Sequence, residues 1–501
     1  MVGLEAHVEL ATRSKMFSRV GNPAHRDFDG AAPNTLIDPI VLALPGALPT
    51  LNKRAIDMSV MVGLALGCSI APYSKWDRKS YFYPDLPKNY QISQYDLPLC
   101  FDGAVDVPDP SAGEEAVHRV GIIRAHLEED AGKLLHEAPG GGAIDGSIVD
   151  FNRAGTPLLE IVTAPDFTSP EQVVTFAQML RNICRFLGVT EGVMQKGHMR
   201  FEPNINTICR LSDGREIRTP IVEVKNLNSF KSLRGAIEHE LQRQPRQFLE
   251  DGKVMGPGAK TTRGWDDVRQ ATFVQREKED AHDYRYFPDP DLPPVHITEE
   301  WRESLRAALP ELPHQRERRY RDEFTLGARE ATALVEERDT CLFFEACVDA
   351  LGQTGGVERE RAGRMAANLL LQSGFKRSNE RGVPPEELGI APGQVAGIVR
   401  MREAGAISAA GADALFGALC ESDESAEQAS ERMGLLQVTD TAALERWCRE
   451  AIADPANAGS VQDVRSGKAA AIGRLIGDVM KRSGGKADAQ AVRRQLGELL
   501  K

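Results

Sequence analysis

The chain has 501 residues, 42% of them apolar and 27% charged, a length that holds roughly three domains of about 150 residues each and the composition of an ordinary folded protein. Its net charge of −12 argues against general coating of nucleic acid and leaves room for a local basic groove, because phosphate contacts depend on where Lys and Arg lie. No apolar run approaches the roughly 18 residues of a membrane span, no basic-then-apolar leader opens the chain, and the eight scattered cysteines include no Cys-x-x-Cys pair, so reduced thiols and a cytoplasmic location are expected.

The first predicted element is a strand through Gly3, Leu4, Glu5, Ala6, His7, Val8, Glu9 and Leu10. With a side-chain period of two, Glu5, His7 and Glu9 share one face while Leu4, Val8 and Leu10 favour burial on the other. An acid and an imidazole two residues apart suit metal ligation, and suit an edge-strand surface equally. A strand opening at residue 3 is consistent with natural residues upstream of Met1.

Residues 34–52 carry Pro39, Pro45, Gly46 and Pro49 and read as an irregular connector. Residues 53–66 follow as a helix with Ala55, Met58, Val62 and Leu66 on its apolar stripe. Residues 73–94 are the densest aromatic and basic stretch, poor as helix and as simple strand. Cations beside aromatics there could cradle phosphates and stack a base, or the aromatics could simply be core.

Next, Val117, Val120, Ile122 and Ile123 give a β-branched run that ends in Arg124, Ala125, His126, Leu127, Glu128, Glu129, Asp130, Ala131, Gly132 and Lys133. Three adjacent acids repel unless a positive partner sits among them. Magnesium suits hard oxygen ligands and nucleotide phosphates; a solvated acidic turn is the plainer alternative. Beyond the prolines at 288, 290, 293 and 294, residues 299–372 read mainly as helices, and a second break near Gly382, Pro384 and Pro385 precedes another helical unit. In that unit Ala471, Leu475, Ile476, Val479 and Met480 sit at helical spacing as core, while Arg474, Lys481, Arg482 and Lys486 offer cations that could meet phosphates or stay solvated.

Several long blocks carry a resemblance. They are Gly3-Leu4-Glu5-Ala6-His7-Val8-Glu9-Leu10, Asp77-Arg78-Lys79-Ser80-Tyr81-Phe82-Tyr83-Pro84-Asp85-Leu86-Pro87-Lys88, His126-Leu127-Glu128-Glu129-Asp130-Ala131-Gly132-Lys133 and Asp150-Phe151-Asn152-Arg153-Ala154-Gly155-Thr156-Pro157-Leu158-Leu159-Glu160. Glu223-Val224-Lys225-Asn226-Leu227-Asn228-Ser229-Phe230 and Asp283-Tyr284-Arg285-Tyr286-Phe287-Pro288-Asp289-Pro290-Asp291 continue the pattern. Through them the chain resembles the B subunits of aspartyl/glutamyl-tRNA amidotransferases over essentially its whole length, most strongly up to about residue 295.

The resemblance implies an α+β fold: a mostly antiparallel cradle of the glutamine synthetase type over residues 1–294, a helical domain over 295–385 and a tRNA-engaging tail over 386–501. It implies an ATP-dependent ligase that phosphorylates the side-chain carboxylate of Glu-tRNA(Gln) or Asp-tRNA(Asn) and amidates it. Catalysis of phosphoryl transfer is mostly positioning plus neutralisation of phosphate charge, which explains why acids and cations are needed together. By resemblance, magnesium ligands map to Glu5, His7, Glu129, Glu160 and Glu202, with Glu129, Glu5 and His7 as the catalytic set. The family motif favours Glu129 over Glu128, a choice the strand pattern alone leaves open. Lys79, Lys225 and Asn226 are candidates for ATP contacts by residue type.

No Ser and Lys amidase signature and no cysteine with a His motif supplies ammonia within this chain. The resemblance therefore implies an A subunit that hydrolyses glutamine, a small C subunit, and passage of ammonia between sites. Three departures from the family stand out. No cysteine lies between Phe17 and Pro49, so no zinc is expected; Arg200-Phe201-Glu202-Pro203-Asn204 replaces a block with aspartate at the acidic position; and Gly477-Asp478-Val479-Met480-Lys481 with Gly485-Lys486-Ala487-Asp488 differs from the usual tail. Two other readings are open to the same residues: a non-catalytic tRNA adaptor, and a lone metal-dependent hydrolase that needs no ATP.

Overall fold

A computed structural model of the chain describes residues 1–109, 111–113, 116–137, 141–277, 284–353, 357–436, 441–466, 468–484, 487 and 489–500. Asp283, Gly485, Lys486 and Asp488 lie outside the described residues. The chain forms two compact units, Met1–Pro313 and His314–Lys501. Together they are a mixed arrangement of one large sheet and many helices, with none among the described residues long and apolar enough to cross a membrane.

The first unit is built on a nine-stranded sheet. Its strands in chain order are β1 (Val2–Glu9), β2 (Ser69–Ile70), β3 (Cys100–Pro108), β4 (Val117–Glu129), β5 (Pro157–Thr163), β6 (Met199–Ile205), β7 (Val222–Lys225), β8 (Thr261–Asp266) and β9 (Ala271–Glu277). Neighbours run β2-β3-β4-β5-β1-β6-β7-β8-β9, so the first strand is inserted at the centre of an otherwise sequential sheet. Every pairing is antiparallel except β7 with β8. This order brings the start of the chain beside residues about 160 and 200 positions away.

The alternation read in β1 decides which face is which. Leu4, Ala6 and Val8 are buried in one apolar core shared with three helices, α1 (Lys53–Ala65), α2 (Pro170–Phe186) and α3 (Phe230–Asp251). Glu5, His7 and Glu9 therefore belong to the opposite face. Local sequence sets the helix ends. The side chains of Asn52, Ser169 and Ser229 each accept a backbone N–H of the first turn, and Gly252 at φ +65° closes α3 in the left-handed conformation.

Residues 73–94 contain more strand than their composition suggests. Asp77–Ser80 pairs antiparallel with Tyr90–Ser93 and with Phe287–Pro288, and Tyr73–Ser74 pairs with Val295–His296. The partners at 287–296 lie some 200 residues away, out of reach of local pattern reading. Leu292, Val295, Ile297 and Leu312 join the same core, so the proline-rich stretch and the helix Glu299–Ala307 belong to the first unit.

The second unit is helical from Pro313–Phe324 to Ala489–Leu499. A distinct core near its end includes Leu475, Val479, Val492 and Leu496, with Ile476 and Met480 packed against it. Arg482 is held by Asp478 at 2.8 Å and by Asp454, and Arg474 donates to the Ala456 carbonyl at 3.1 Å. Both cations are thus engaged within the unit.

Candidate functional site

The polar face of the sheet carries its charge in register. His7 stands opposite Glu160 on one side and Arg200 on the other, and Glu160 stands opposite His126. One row across β4, β5, β1 and β6 thus reads His126, Glu160, His7, Arg200. Glu5 faces Glu202 across the β1–β6 pair, and Asn204 faces Glu223 across β6–β7.

Two clusters result, each with ligand-type atoms within 4.8 Å of one another: His7, Glu128 and Glu160, and Glu5, Glu202 and Glu223. In the first, His7 Nε2 lies 3.4 Å from Glu160 Oε2. His126 Nε2 lies 3.8 Å from Glu160 and 3.9 Å from Glu128. Burial opposes a charge on His7, yet its bond to Glu160 and the charges of Glu202 and Glu160 push it up to about 9. His126 goes the other way, to about 4, because burial dominates. Burial also works against Glu160, but His126, His7 and Lys79 hold its carboxyl well below the usual range. Glu128 is left with the repulsion: burial, then the charge of Glu160, push it up to about 7.

The second cluster is spanned by lysines. Lys225 Nζ lies 2.5 Å from Glu202 and 3.0 Å from Glu223, and Lys260 Nζ is 3.3 Å from Glu223. Burial opposes the Lys225 charge, but Glu202 and Glu223 raise its ammonium above the ordinary range. Asn204 Nδ2 donates to Glu5 Oε1 at 2.8 Å. Burial, followed by Glu160 and Glu223, raises the Glu5 carboxyl.

Beside these clusters lies a buried ion network. Arg200 Nη2 donates to Asp130 Oδ2 at 2.6 Å and Arg153 Nε lies 3.7 Å from the same oxygen. Burial and the Asp130 charge push Glu9 up to about 8. The network fixes Arg200 at the end of the row that carries His7.

The register sets Glu129 apart from the acids grouped on the polar face. Glu129 pairs with Pro157 and shares the strand parity of the buried Leu127, so its side chain leaves the sheet on the face opposite His126 and Glu128. Its carboxylate forms an ion pair with Lys88 and accepts the Ile92 backbone N–H at 3.0 Å. It also borders a cleft with Lys15, Phe17 and Gly155. The acid that joins His7 and Glu160 is Glu128.

Of the other expected positions, Glu5 and Glu202 come together, and His7 and Glu160 come together. Lys79 sits within reach of the charges of Glu128 and Glu160; burial works against its ammonium, and those acids outweigh it and raise it. Asn226 is exposed at the end of β7 in the left-handed conformation, φ +67°, which asparagine tolerates better than most residues. Glu128, His126 and Glu223 were not among the expected ligands. The two-residue alternation applied to Glu5, His7 and Glu9, if extended through residues 126–130, groups His126 with Glu128. No comparable local signal marks Glu223, whose position depends on the pairing of β7 with β6.

The donor set suits a hard divalent cation. Carboxylate oxygens outnumber the imidazole, and His7 and His126 turn Nε2 towards the acids while their Nδ1 atoms are buried without a hydrogen-bond partner. The fold thus gathers two carboxylate groups, one of them with an imidazole, on one face of the sheet.

Comparison with known proteins gives the family of the chain. Residues 1–303 match the model described as the GatB/GatE catalytic domain, and residues 351–500 match that of the GatB domain. The chain is 45% identical over 500 residues to the aspartyl/glutamyl-tRNA(Asn/Gln) amidotransferase B subunit of Thermomicrobium roseum, covering all of this chain and 98% of that protein. The corresponding B subunits of Caldicellulosiruptor saccharolyticus, 42% identical with 98% covered, and Rhodopirellula baltica, 41% identical with 96% covered, are similar over the whole chain. The chain belongs to the family of aspartyl/glutamyl-tRNA(Asn/Gln) amidotransferase B subunits.

Proposed function

We propose that this chain is the component of a tRNA-dependent amidotransferase that activates the aminoacyl carboxylate. A side-chain carboxylate oxygen of Glu-tRNA(Gln) or Asp-tRNA(Asn) attacks the γ-phosphorus of ATP and ADP leaves. Ammonia then attacks the acyl carbon and expels phosphate, giving Gln-tRNA(Gln) or Asn-tRNA(Asn). The ammonia comes from a glutaminase A subunit, with a small C subunit completing the complex.

The observation that carries this reading is the pair of carboxylate clusters on one sheet face, in a chain of this family. His7, Glu128 and Glu160 would hold one magnesium ion; Glu5 and Glu202, with Glu223, would hold a second. Bound magnesium would neutralise phosphate charge and align the transferring group. Lys79 is assigned to the phosphates because it lies beside the first cluster and forms no ion pair among the described residues. Lys225 is assigned the same role once phosphate competes with Glu202 and Glu223 for its ammonium. Asn226 is assigned to the nucleotide from its exposed position next to Lys225. Arg200, anchored by Asp130, closes the cross-strand row of His126, Glu160 and His7.

At the level of architecture, the first unit is assigned as a cradle of the glutamine synthetase type, and the second as a helical domain followed by a tail, residues 386–501, that engages tRNA. The test uses the reconstituted complex with mischarged Glu-tRNA(Gln). ATP consumed should match amidated tRNA formed, and His7→Ala should abolish both while glutaminase activity persists. Amidation without ATP, or amidation undiminished in folded His7→Ala, would refute the reading.

A further inference from the structure

An aromatic ladder leads from solvent to the first carboxylate cluster. Tyr95, 54% exposed, stacks on Tyr286 with ring centroids 4.1 Å apart and planes 15° from parallel. Tyr286 meets Tyr284 edge-on at 6.3 Å, and Tyr284 meets Tyr81 edge-on at 6.2 Å. The rungs come from segments distant in sequence, held together by the backbone. The Ser80 N–H donates to the Tyr284 carbonyl at 2.8 Å, and Arg124 donates to the Tyr95 carbonyl at 3.3 Å.

Two cations flank the ladder. The Lys79 ammonium lies 5.3 Å from the Tyr284 ring centroid and 6.0 Å from that of Tyr81. Its electrostatic neighbours are Glu128, Tyr286 and Glu160. Arg124 acts electrostatically on the Tyr286 hydroxyl, and among the described residues it forms no ion pair with a carboxylate. A half-exposed flat π surface, bounded by two cations and opening onto a cation-binding carboxylate cluster, matches a flat base joined to phosphate. An apolar peptide would leave both cations unused.

We propose that the outer face of the Tyr95–Tyr286 pair stacks a purine base, with Lys79 and Arg124 beside the phosphates attached to it. This rests on the function proposed above, under which the base is carried either by ATP or by the 3′ end of the tRNA. Stacking is tolerant of base identity and is lost with the aromatic ring, whereas the tyrosine hydroxyl contributes little to it.

The test titrates the full chain with magnesium-ATP and, separately, with uncharged tRNA(Gln), for the wild type, Tyr95→Leu and Tyr95→Phe. Loss of one base–aromatic stack corresponds to about 5- to 150-fold weaker binding. Tyr95→Leu should weaken one of the two probes within that range, and the probe affected identifies the source of the base. Tyr95→Phe should stay within twofold, and both variants should unfold at the wild-type midpoint. Wild-type binding of the probes with Tyr95→Leu unchanged for both overturns the stacking site alone. So does an equal loss in Tyr95→Phe, or a loss confined to assembly with the other subunits, which would make the surface a protein interface. A wild-type chain that binds neither probe overturns the proposed function and the stacking site with it.

Discussion

Replacing Glu128 by glutamine should stabilise the protein in the absence of divalent cations. Glu128 is buried against Glu160, and burial and that charge move its carboxyl from 4.5 to about 7. The folded chain therefore holds this proton more tightly than the unfolded chain. Stability contributed by the site falls as pH rises from 4.5 towards 7, and the full cost is present above that range. Its size is about 3 kcal/mol at most. With an unfolding entropy of about 2 cal/mol/K per residue over the first unit, residues Met1–Pro313, Glu128→Gln should raise Tm by about 5 °C at pH 8 in chelator. Magnesium should raise the wild-type Tm and raise that of the variant less, since one ligand is lost. The assay is thermal unfolding at pH 5 and pH 8, with and without magnesium. A variant less stable than wild type at pH 8 in chelator, or one with an undiminished magnesium response, would refute the assignment of Glu128 to a cation site.

Other expectations concern the surroundings of the site. Asp130→Asn removes the anion that holds Arg200 at 2.6 Å and leaves a half-buried guanidinium without its nearest charge; denaturant unfolding should show a loss of about 1–3 kcal/mol. Lys15 is fully buried, donates to the Leu36 carbonyl at 2.7 Å, and is pushed down to about 7 by burial despite nearby Asp38 and Glu129. Between pH 7 and 10.5 the unfolded chain binds the extra proton, so wild-type stability should rise with pH relative to Lys15→Met, by up to about 3 kcal/mol from pH 7 to 9. A flat difference across that window would show that Lys15 stays charged in the fold. In the helical unit, a Cβ on Gly363 would lie 2.2 Å from Phe324 Cδ1. Gly363→Ala should cost that unit about 1–3 kcal/mol by overpacking, read by urea unfolding, and leave the magnesium response of the first unit unchanged.

Much of the site was legible because β1 alternates cleanly. Leu4, Ala6 and Val8 against Glu5, His7 and Glu9 assign the two faces without any partner strand. The acids at 128–130 were harder, since three adjacent carboxylates give no alternation of their own; the phase carried on from His126 and Leu127, fixed by the register with Pro157 and Leu158, separates Glu128 from Glu129. Glu223 stood inside a recognised block, but its closeness to Glu5 depends on β6 lying between β1 and β7. The short strands at Asp77–Ser80 and Tyr90–Ser93 were hidden for a related reason. Their third partner, Phe287–Pro288, is some 200 residues away, and proline at a strand residue gives no propensity signal. In the replaced acidic block, Phe201 lies in the core while Glu202 reaches Lys225, so the alternation of β6 keeps the acid on the polar face.

The most direct test compares Glu128→Ala with Glu129→Ala in the intact amidotransferase, measuring ATP-dependent amidation of mischarged Glu-tRNA(Gln) across a magnesium titration carried to saturation. Glu128→Ala should abolish amidation with glutaminase activity retained, and the loss in Glu129→Ala should track its separate pairing with Lys88, so that the magnesium dependence of residual amidation keeps its wild-type midpoint. Full amidation by a folded Glu128→Ala enzyme would contradict the account and remove the His7, Glu128 and Glu160 cluster from phosphoryl transfer.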